Sequence, residues 1–190
     1  MTSHSIDSTG SVIMSACCNH IGNSLSRRGF VKLALGTGAA LWTNFKPSSV
    51  FAAGNTEALL LSCMDYRLVD DIVHYMDGRG LTNKYDHVVL AGASLGVLQD
   101  KNVSWGQTFW DHVGVALDLH HIHKIIVLDH RDCGAYKVFL GTDLAKDRAG
   151  EFEAHAIKLR ALKTAIAGKF PGLEVELQLM DLDGKVEPVT

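Results

Sequence analysis

Ala58-Leu59-Leu60-Leu61-Ser62-Cys63-Met64-Asp65-Tyr66-Arg67 runs from an unbroken apolar stretch into a thiol, a carboxylate and a guanidinium, with no turn residue between them. A short continuous apolar run of this kind reads as a strand buried on both faces. Cys63, Asp65 and Arg67 alternate with Met64 and Tyr66, so strand geometry carried through them puts the three polar side chains on one face. A packed core rarely accepts an acid and an arginine unless they pair, which marks the stretch as a site.

The chain beyond it alternates strands with helices. Leu68 to Met76 has apolar residues at helical spacing and ends at Asp77-Gly78-Arg79-Gly80. A second strand covers His87 to Leu90 and opens into Ala91-Gly92-Ala93-Ser94-Leu95-Gly96. A helix from Ser104 to His121 presents Trp105, Phe109, Val113, Ala116 and Leu117, with Ser104 and Gln107 spaced as in a capping box. The third strand, Lys124 to Asp129, is almost wholly branched and apolar, which predicts a central position. A short helix through Leu140, a long one from Glu151 to Lys169, a strand from Leu173 to Met180 and a turn at Asp183-Gly184 complete the chain. The expected fold is α/β, a mostly parallel central sheet with helices on both faces.

The 190 residues are 47% hydrophobic and 21% charged, which suits one globular domain with a real core. A formal charge of −3 supplies no basic field for nucleic acid. The first fifty residues differ from the rest. They are rich in Ser, Thr, Asn, Gly and Ala and contain a single acid, Asp7. Ser26-Arg27-Arg28-Gly29-Phe30-Val31-Lys32 resembles a twin-arginine export signal, and Leu33 to Trp42 is a mild apolar stretch too short to span a bilayer. Small residues around Ala52 and Ala53 suit a signal peptidase. The expectation is a cleaved signal over 1–52, a catalytic domain over 53–190, a periplasmic or otherwise exported location, the twin-arginine machinery as a partner, and no stable membrane anchor. Cys17 and Cys18 leave with the signal, so Cys63 and Cys133 are the surviving cysteines.

In a parallel sheet the carboxyl ends of the strands share one edge, where sites form. Cys63 ends the first strand and His130 ends the third, so the two can meet although they are far apart in sequence. Cys133 follows His130 by three positions, a spacing that lets both side chains grip one ion. Two thiolates and one imidazole form a zinc set with a fourth position free, the catalytic pattern.

Cys-x-Asp-x-Arg followed by His-x-x-Cys-Gly after a strand resembles the β-class carbonic anhydrases, particularly their short forms, from about Leu59 to the end. The resemblance implies that Cys63, His130 and Cys133 bind one Zn2+ per chain and that Asp65 and Arg67 are the catalytic dyad. It implies reversible hydration of CO2 to bicarbonate by a zinc-bound hydroxide that the dyad orients. In some members the Asp instead occupies the fourth zinc position. Two departures stand out. Leu90-Ala91-Gly92-Ala93 keeps the glycine region of the family but lacks its usual Arg and Asn. Few residues precede the first strand after cleavage, so the N-terminal helices with which many members embrace a partner are missing; a homodimer or higher homo-oligomer is still expected.

Other readings compete. A relative of the same fold that hydrolyses carbonyl sulfide or carbon disulfide would suit the same nucleophile, and a zinc protein without turnover is a non-enzymatic alternative. A Cys63–Cys133 disulfide would fit an exported protein, but needs neither the nearby His nor the Asp and Arg. Gly92-Ala93-Ser94-Leu95-Gly96 matches the nucleophile elbow of serine hydrolases, yet the helix that should follow at once is expected only near Ser104. His120, His121 and His123 are expected to cap a helix C-terminus rather than to form a second metal site. His74, His87, His112 and His155 have no motif around them and are read as surface or satisfied polar residues. Trp105, Phe109 and Trp110 read as core or interface.

Overall fold

A computed structural model describes residues 54–141 and 143–190, and the readings of 1–52 fall outside the described residues. The first strand, β1 (Ala58–Ser62), is buried at all five positions. It stops at Ser62 rather than continuing through Arg67. A 3-10 turn (Tyr66–Leu68) follows because the Asp65 carboxylate accepts the backbone N–H of Arg67, a side-chain cap that bends the chain out of the sheet. Helix α1 (Val69–Gly78) then leads to β2 (Tyr85–Val89).

Helix α2 (Ser94–Leu98) begins at once after the glycine turn, where the sequence suggested loop up to Ser104. Only Gly fits at Gly96, since a Cβ there would lie 2.4 Å from the Ala91 carbonyl oxygen. Helix α3 (Val103–His120) has Asn102 at its N-cap with no side-chain cap bond. The expected capping box is absent: Ser104 lies inside the helix, and Gln107 bonds to Asp111. Gln99 instead takes the Asn102 N–H at 2.7 Å and donates to the Asn102 carbonyl at 2.8 Å. The chain continues through β3 (Lys124–His130), α4 (Gly134–Leu140), α5 (Arg148–Lys169), β4 (Glu174–Met180) and β5 (Val186–Pro188).

The strand order is β2-β1-β3-β4-β5, parallel except for the final β4–β5 pair. On one face Leu59, Leu61, Ile125, Val127, Leu177 and Leu179 pack against α3 and α5 through Phe109, Val113, Leu159 and Ile166. The opposite face buries Leu60, Ile126, Leu128 and Met180 under Leu68, Ile72 and Met76 of α1 and its approach. Helices thus cover both faces, α1 being the one described helix on the second. No described helix is long and apolar enough to cross a membrane.

The order also decides where a site lies. The chain leaves β1 toward β2 on one side, and leaves β3 toward β4 on the other. β1 and β3 are neighbours with Ser62 level with Leu128, so a crevice opens between their carboxyl ends at the point where the winding reverses.

Candidate metal centre

Three potential metal donors meet in that crevice. Cys63 follows the last residue of β1, His130 is the last residue of β3, and Cys133 caps the N-terminus of α4. Their donor atoms lie within 4.8 Å of one another, the one such group among the described residues. The two Sγ atoms are 3.9 Å apart. With Zn–S bonds of ~2.3 Å, a tetrahedral site separates its sulfurs by about 3.8 Å, so the thiols already stand at the spacing an ion needs. Both cysteines are free, so no disulfide joins them.

The histidine is prepared by its own backbone. His130 Nδ1 lies 2.8 Å from the Arg131 carbonyl, which can only accept, so the proton sits on Nδ1 and Nε2 presents a lone pair. That Nε2 is buried and has no hydrogen-bond partner. A buried, unpartnered acceptor beside two thiols is costly unless something electron-poor occupies the space between them. A soft divalent ion fits this donor set.

The two sulfurs differ in character. A hydrogen bond from the Cys133 thiol, with a further one from the Gly92 amide, outweighs burial and holds Cys63 down at about 4. Cys133, which keeps the shared proton and is itself buried, is pushed up. The pair therefore carries one negative charge and one proton, and an ion would take the proton's place. Gly92 makes the close approach possible. Its N–H lies 3.2 Å from Cys63 Sγ, its φ is +79°, and a Cβ there would meet the Ala135 Cβ at 3.0 Å.

Asp65 and Arg67 converge on the same place by a different route from the strand alternation. Arg67 Nε donates to Asp65 Oδ1 at 2.9 Å and its terminal nitrogen to Oδ2 at 2.7 Å, a bidentate pair. The backbone N–H of Arg67 adds a third bond at 3.0 Å. The Arg67 side chain is the first cause that holds Asp65 down at about 2. Asp65 Oδ2 stands 3.7 Å from His130 Nε2, so the carboxylate borders the donor cluster while remaining clamped to Arg67.

Sequence reasoning assigned no role to several residues around this site. Asp132 accepts from the far side of Arg67 at 2.9 Å, and its backbone carbonyl accepts at 3.1 Å. Its φ of +53° is unusual for a non-glycine residue, and Glu151 secures it by accepting the Asp132 N–H at 2.6 Å. Glu151 also binds the buried Arg131 at 3.1 Å, and Arg131 reaches Glu187 as well. The run His130-Arg131-Asp132-Cys133 hinted at this only through the density of charge inside a metal motif.

The competing motif resolves differently. Ser94 is fully buried and donates to Asp129 Oδ2 at 2.7 Å. The strained elbow conformation belongs to Ala93 (φ 38°, ψ −101°), not to Ser94. His155 Nδ1 reaches the same Oδ2 at 2.8 Å, so the serine hydroxyl gives its proton to the carboxylate and not to the imidazole, the wrong arrangement for activating a nucleophile. His155 is 1% exposed and satisfied by that contact. His120 lies in the last turn of α3 and His121 is its C-cap, as expected, with His120 Nδ1 2.8 Å from Asp86.

The family model described as "Putative carbonic anhydrase" matches residues 53–189. The chain is similar to an uncharacterized protein of Rickettsia conorii, 43% identical over 131 residues, which are 69% of this chain and 70% of that protein. An uncharacterized protein of Rickettsia bellii is 42% identical over 131 residues, 69% of this chain and 80% of that one. Among solved structures, the β-carbonic anhydrase CafD of Aspergillus fumigatus is similar at 16% identity and a TM-score of 0.48, covering 72% of this chain and 90% of that one. The β-carbonic anhydrase CcaA gives 15% identity and a TM-score of 0.44, covering 85% and 91%.

Proposed function

The chain belongs to the carbonic-anhydrase family whose model spans residues 53–189, and on that basis we propose that it is a zinc-dependent carbonic anhydrase interconverting CO2 and bicarbonate. The observation that carries the reading is the buried, unpartnered Nε2 of His130 facing two thiols beside a clamped carboxylate. Cys63, His130 and Cys133 would hold one Zn2+ per chain. When bound, zinc supplies a hydroxide nucleophile near neutral pH by lowering the pKa of water from 15.7 to about 7.

The protein's own groups do the rest. Asp65, ionised, can only accept hydrogen bonds, so a hydroxyl beside it must point its proton at Oδ2 and turn a lone pair toward the substrate carbon. Arg67 fixes the plane of that carboxylate through two parallel bonds, and Asp132 holds Arg67 from behind. Because Arg67 keeps the Asp65 pKa at about 2, Asp65 does not retain the proton the reaction releases, which passes to solvent.

Two further parts of the proposal concern the whole chain. The Ser26–Lys32 motif supports export through a twin-arginine route and cleavage near Ala52, to be checked by cell fractionation with Arg27→Lys and Arg28→Lys together retaining the precursor. Exposed Met64, Tyr66, Val69 and Val73 flank the site, which supports burial against a second copy; sedimentation would give the assembly size.

Metal analysis paired with a stopped-flow CO2 assay tests the central reading. The expected result is one zinc per chain with rapid CO2 hydration. Zinc without CO2 turnover would overturn the substrate assignment, and hydrolysis of carbonyl sulfide or carbon disulfide would replace it. A protein that takes up no zinc would end the metal reading.

A further inference from the structure

A buried carboxylate stands behind the donor cluster, and neither the metal donors nor the Asp65–Arg67 pair accounts for it. Asp129 is 1% exposed and precedes His130 in β3. Successive strand side chains point to opposite faces, so the two turn away from each other. Four donors converge on Asp129. The Ser94 N–H reaches Oδ1 at 3.0 Å, while Ser94 Oγ at 2.7 Å, Tyr136 Oη at 2.8 Å and His155 Nδ1 at 2.8 Å all reach Oδ2. Ser94, Tyr136 and His155 are each at most 2% exposed, and the Tyr136 and His155 rings stack with centroids 3.9 Å apart.

Such a cluster is an expensive way to fill a core, since well-packed apolar residues are often as stable or more so. Its placement offers a reason. Ser94 lies two residues after Gly92, whose N–H holds Cys63 Sγ, and the two bonds from Ser94 anchor the chain just beyond the strained Ala93. Tyr136 lies one turn after Cys133 and closes that turn with its own N–H on the Cys133 carbonyl at 3.1 Å. His130 is joined to Asp129 directly. One carboxylate is therefore tied to the segment steering Cys63, to the helix start carrying Cys133, and to His130 itself, while His155 secures it to α5.

We propose that Asp129 is a positioning residue: with Ser94, Tyr136 and His155 it locks the three donor-bearing segments so that the metal tripod is preorganised before an ion arrives. The proposal rests on the zinc reading above. It assigns the Gly-x-Ser-x-Gly serine a structural duty toward the metal in place of nucleophilic chemistry.

The test compares zinc affinity by chelator competition, and the visible spectrum of the cobalt-substituted protein, across a set of variants. Asp129→Asn swaps one acceptor oxygen for an NH2 that must face donors. Tyr136→Phe and Ser94→Ala each delete one donor with little change of shape, and stay informative if Asp129→Asn does not fold. Leu162→Ala, in the apolar face of α5 away from the network, is a control that lowers stability alone. Expected are a fall of about 10–100-fold in zinc affinity for Asp129→Asn, the range seen when partners behind metal ligands are lost, and a smaller fall for the single-donor variants. Altered cobalt bands should accompany both, with Leu162→Ala keeping parental affinity and spectrum. Folded Tyr136→Phe and Ser94→Ala proteins with parental affinity and cobalt spectrum would overturn the proposal. So would an equal loss in Leu162→Ala. A parent that binds no zinc would remove the metal reading and this proposal together, whereas a zinc-binding parent with indifferent variants would remove this proposal alone.

Discussion

Replacing Arg67 with Met removes both side-chain bonds to Asp65 and both contacts to Asp132, and leaves the 3.0 Å backbone bond from residue 67 in place. Arg67 is the main reason Asp65 sits at about 2 rather than the ordinary 3.8. Taken at face value that shift corresponds to roughly 2 kcal/mol. The Arg67 side chain is 33% exposed, so solvent screening reduces the contribution to about 1 kcal/mol, or a loss of about 3–5 °C in Tm for a domain of this size. A depressed carboxylate pKa stabilises the folded state above the unfolded value and ceases to do so as pH falls through the folded one. The difference between parent and variant should therefore be full above about pH 4 and vanish toward pH 2. Asp132, shifted down by the same guanidinium, adds in the same direction. Thermal melts of chelator-treated protein from pH 7 to pH 2.5 measure it without interference from metal release. A stability gap as large at pH 2.5 as at pH 7, or none at pH 7, would refute the reasoning. At pH 7 Asp65 stays ionised with or without Arg67, so CO2 hydration should fall about tenfold or more through lost orientation. Zinc content should not change, and raising the pH should bring no recovery.

Cys133→Ser and His130→Ala each remove one of three donors, and metal analysis should find zinc reduced from one per chain to a trace, with CO2 hydration abolished in the stopped-flow assay. Gly92→Ala forces a side chain into φ +79° against Ala135 and pulls the N–H from Cys63; denaturant melts should show a loss of about 1–3 kcal/mol, with weakened zinc binding alongside. Phe109→Ala empties a fully buried position between the sheet and α3, and should cost about 3–5 kcal/mol in the same melts while the zinc content of the folded fraction is unchanged.

Much of the framework was readable without coordinates. The run Ala58–Ser62 reads as a strand covered on both faces, and the helix expected from Glu151 to Lys169 is present as α5, with Ala156, Leu159, Leu162 and Ile166 buried along its inward face. The errors were local and had local causes. Side-chain bonds from Asp65 and Gln99 rewrote two element boundaries that propensity alone placed elsewhere, and a five-residue helix is too short to leave a periodic signal. Exposure also escaped the pattern: Val69 and Val73 lie on α1 at helical spacing yet face solvent, at 59% and 44%.

By itself, the order of residues determined which chemistry is present, because a thiol, an imidazole and a second thiol at the ends of predicted strands are donors whatever surrounds them. It also determined the alternation of strand and helix that sends those ends to one edge. Tertiary structure decided that β1 lies beside β3, since strand order follows from crossovers between distant segments and not from any local pattern. It decided, too, which polar groups are withdrawn from water. No local pattern marks Asp129, Arg131 and Glu151 as buried polar groups; Ser94, Tyr136 and Glu187 arrive from elsewhere in the chain to satisfy them. A buried charge is tolerated only where its partners converge, and that convergence exists only in three dimensions.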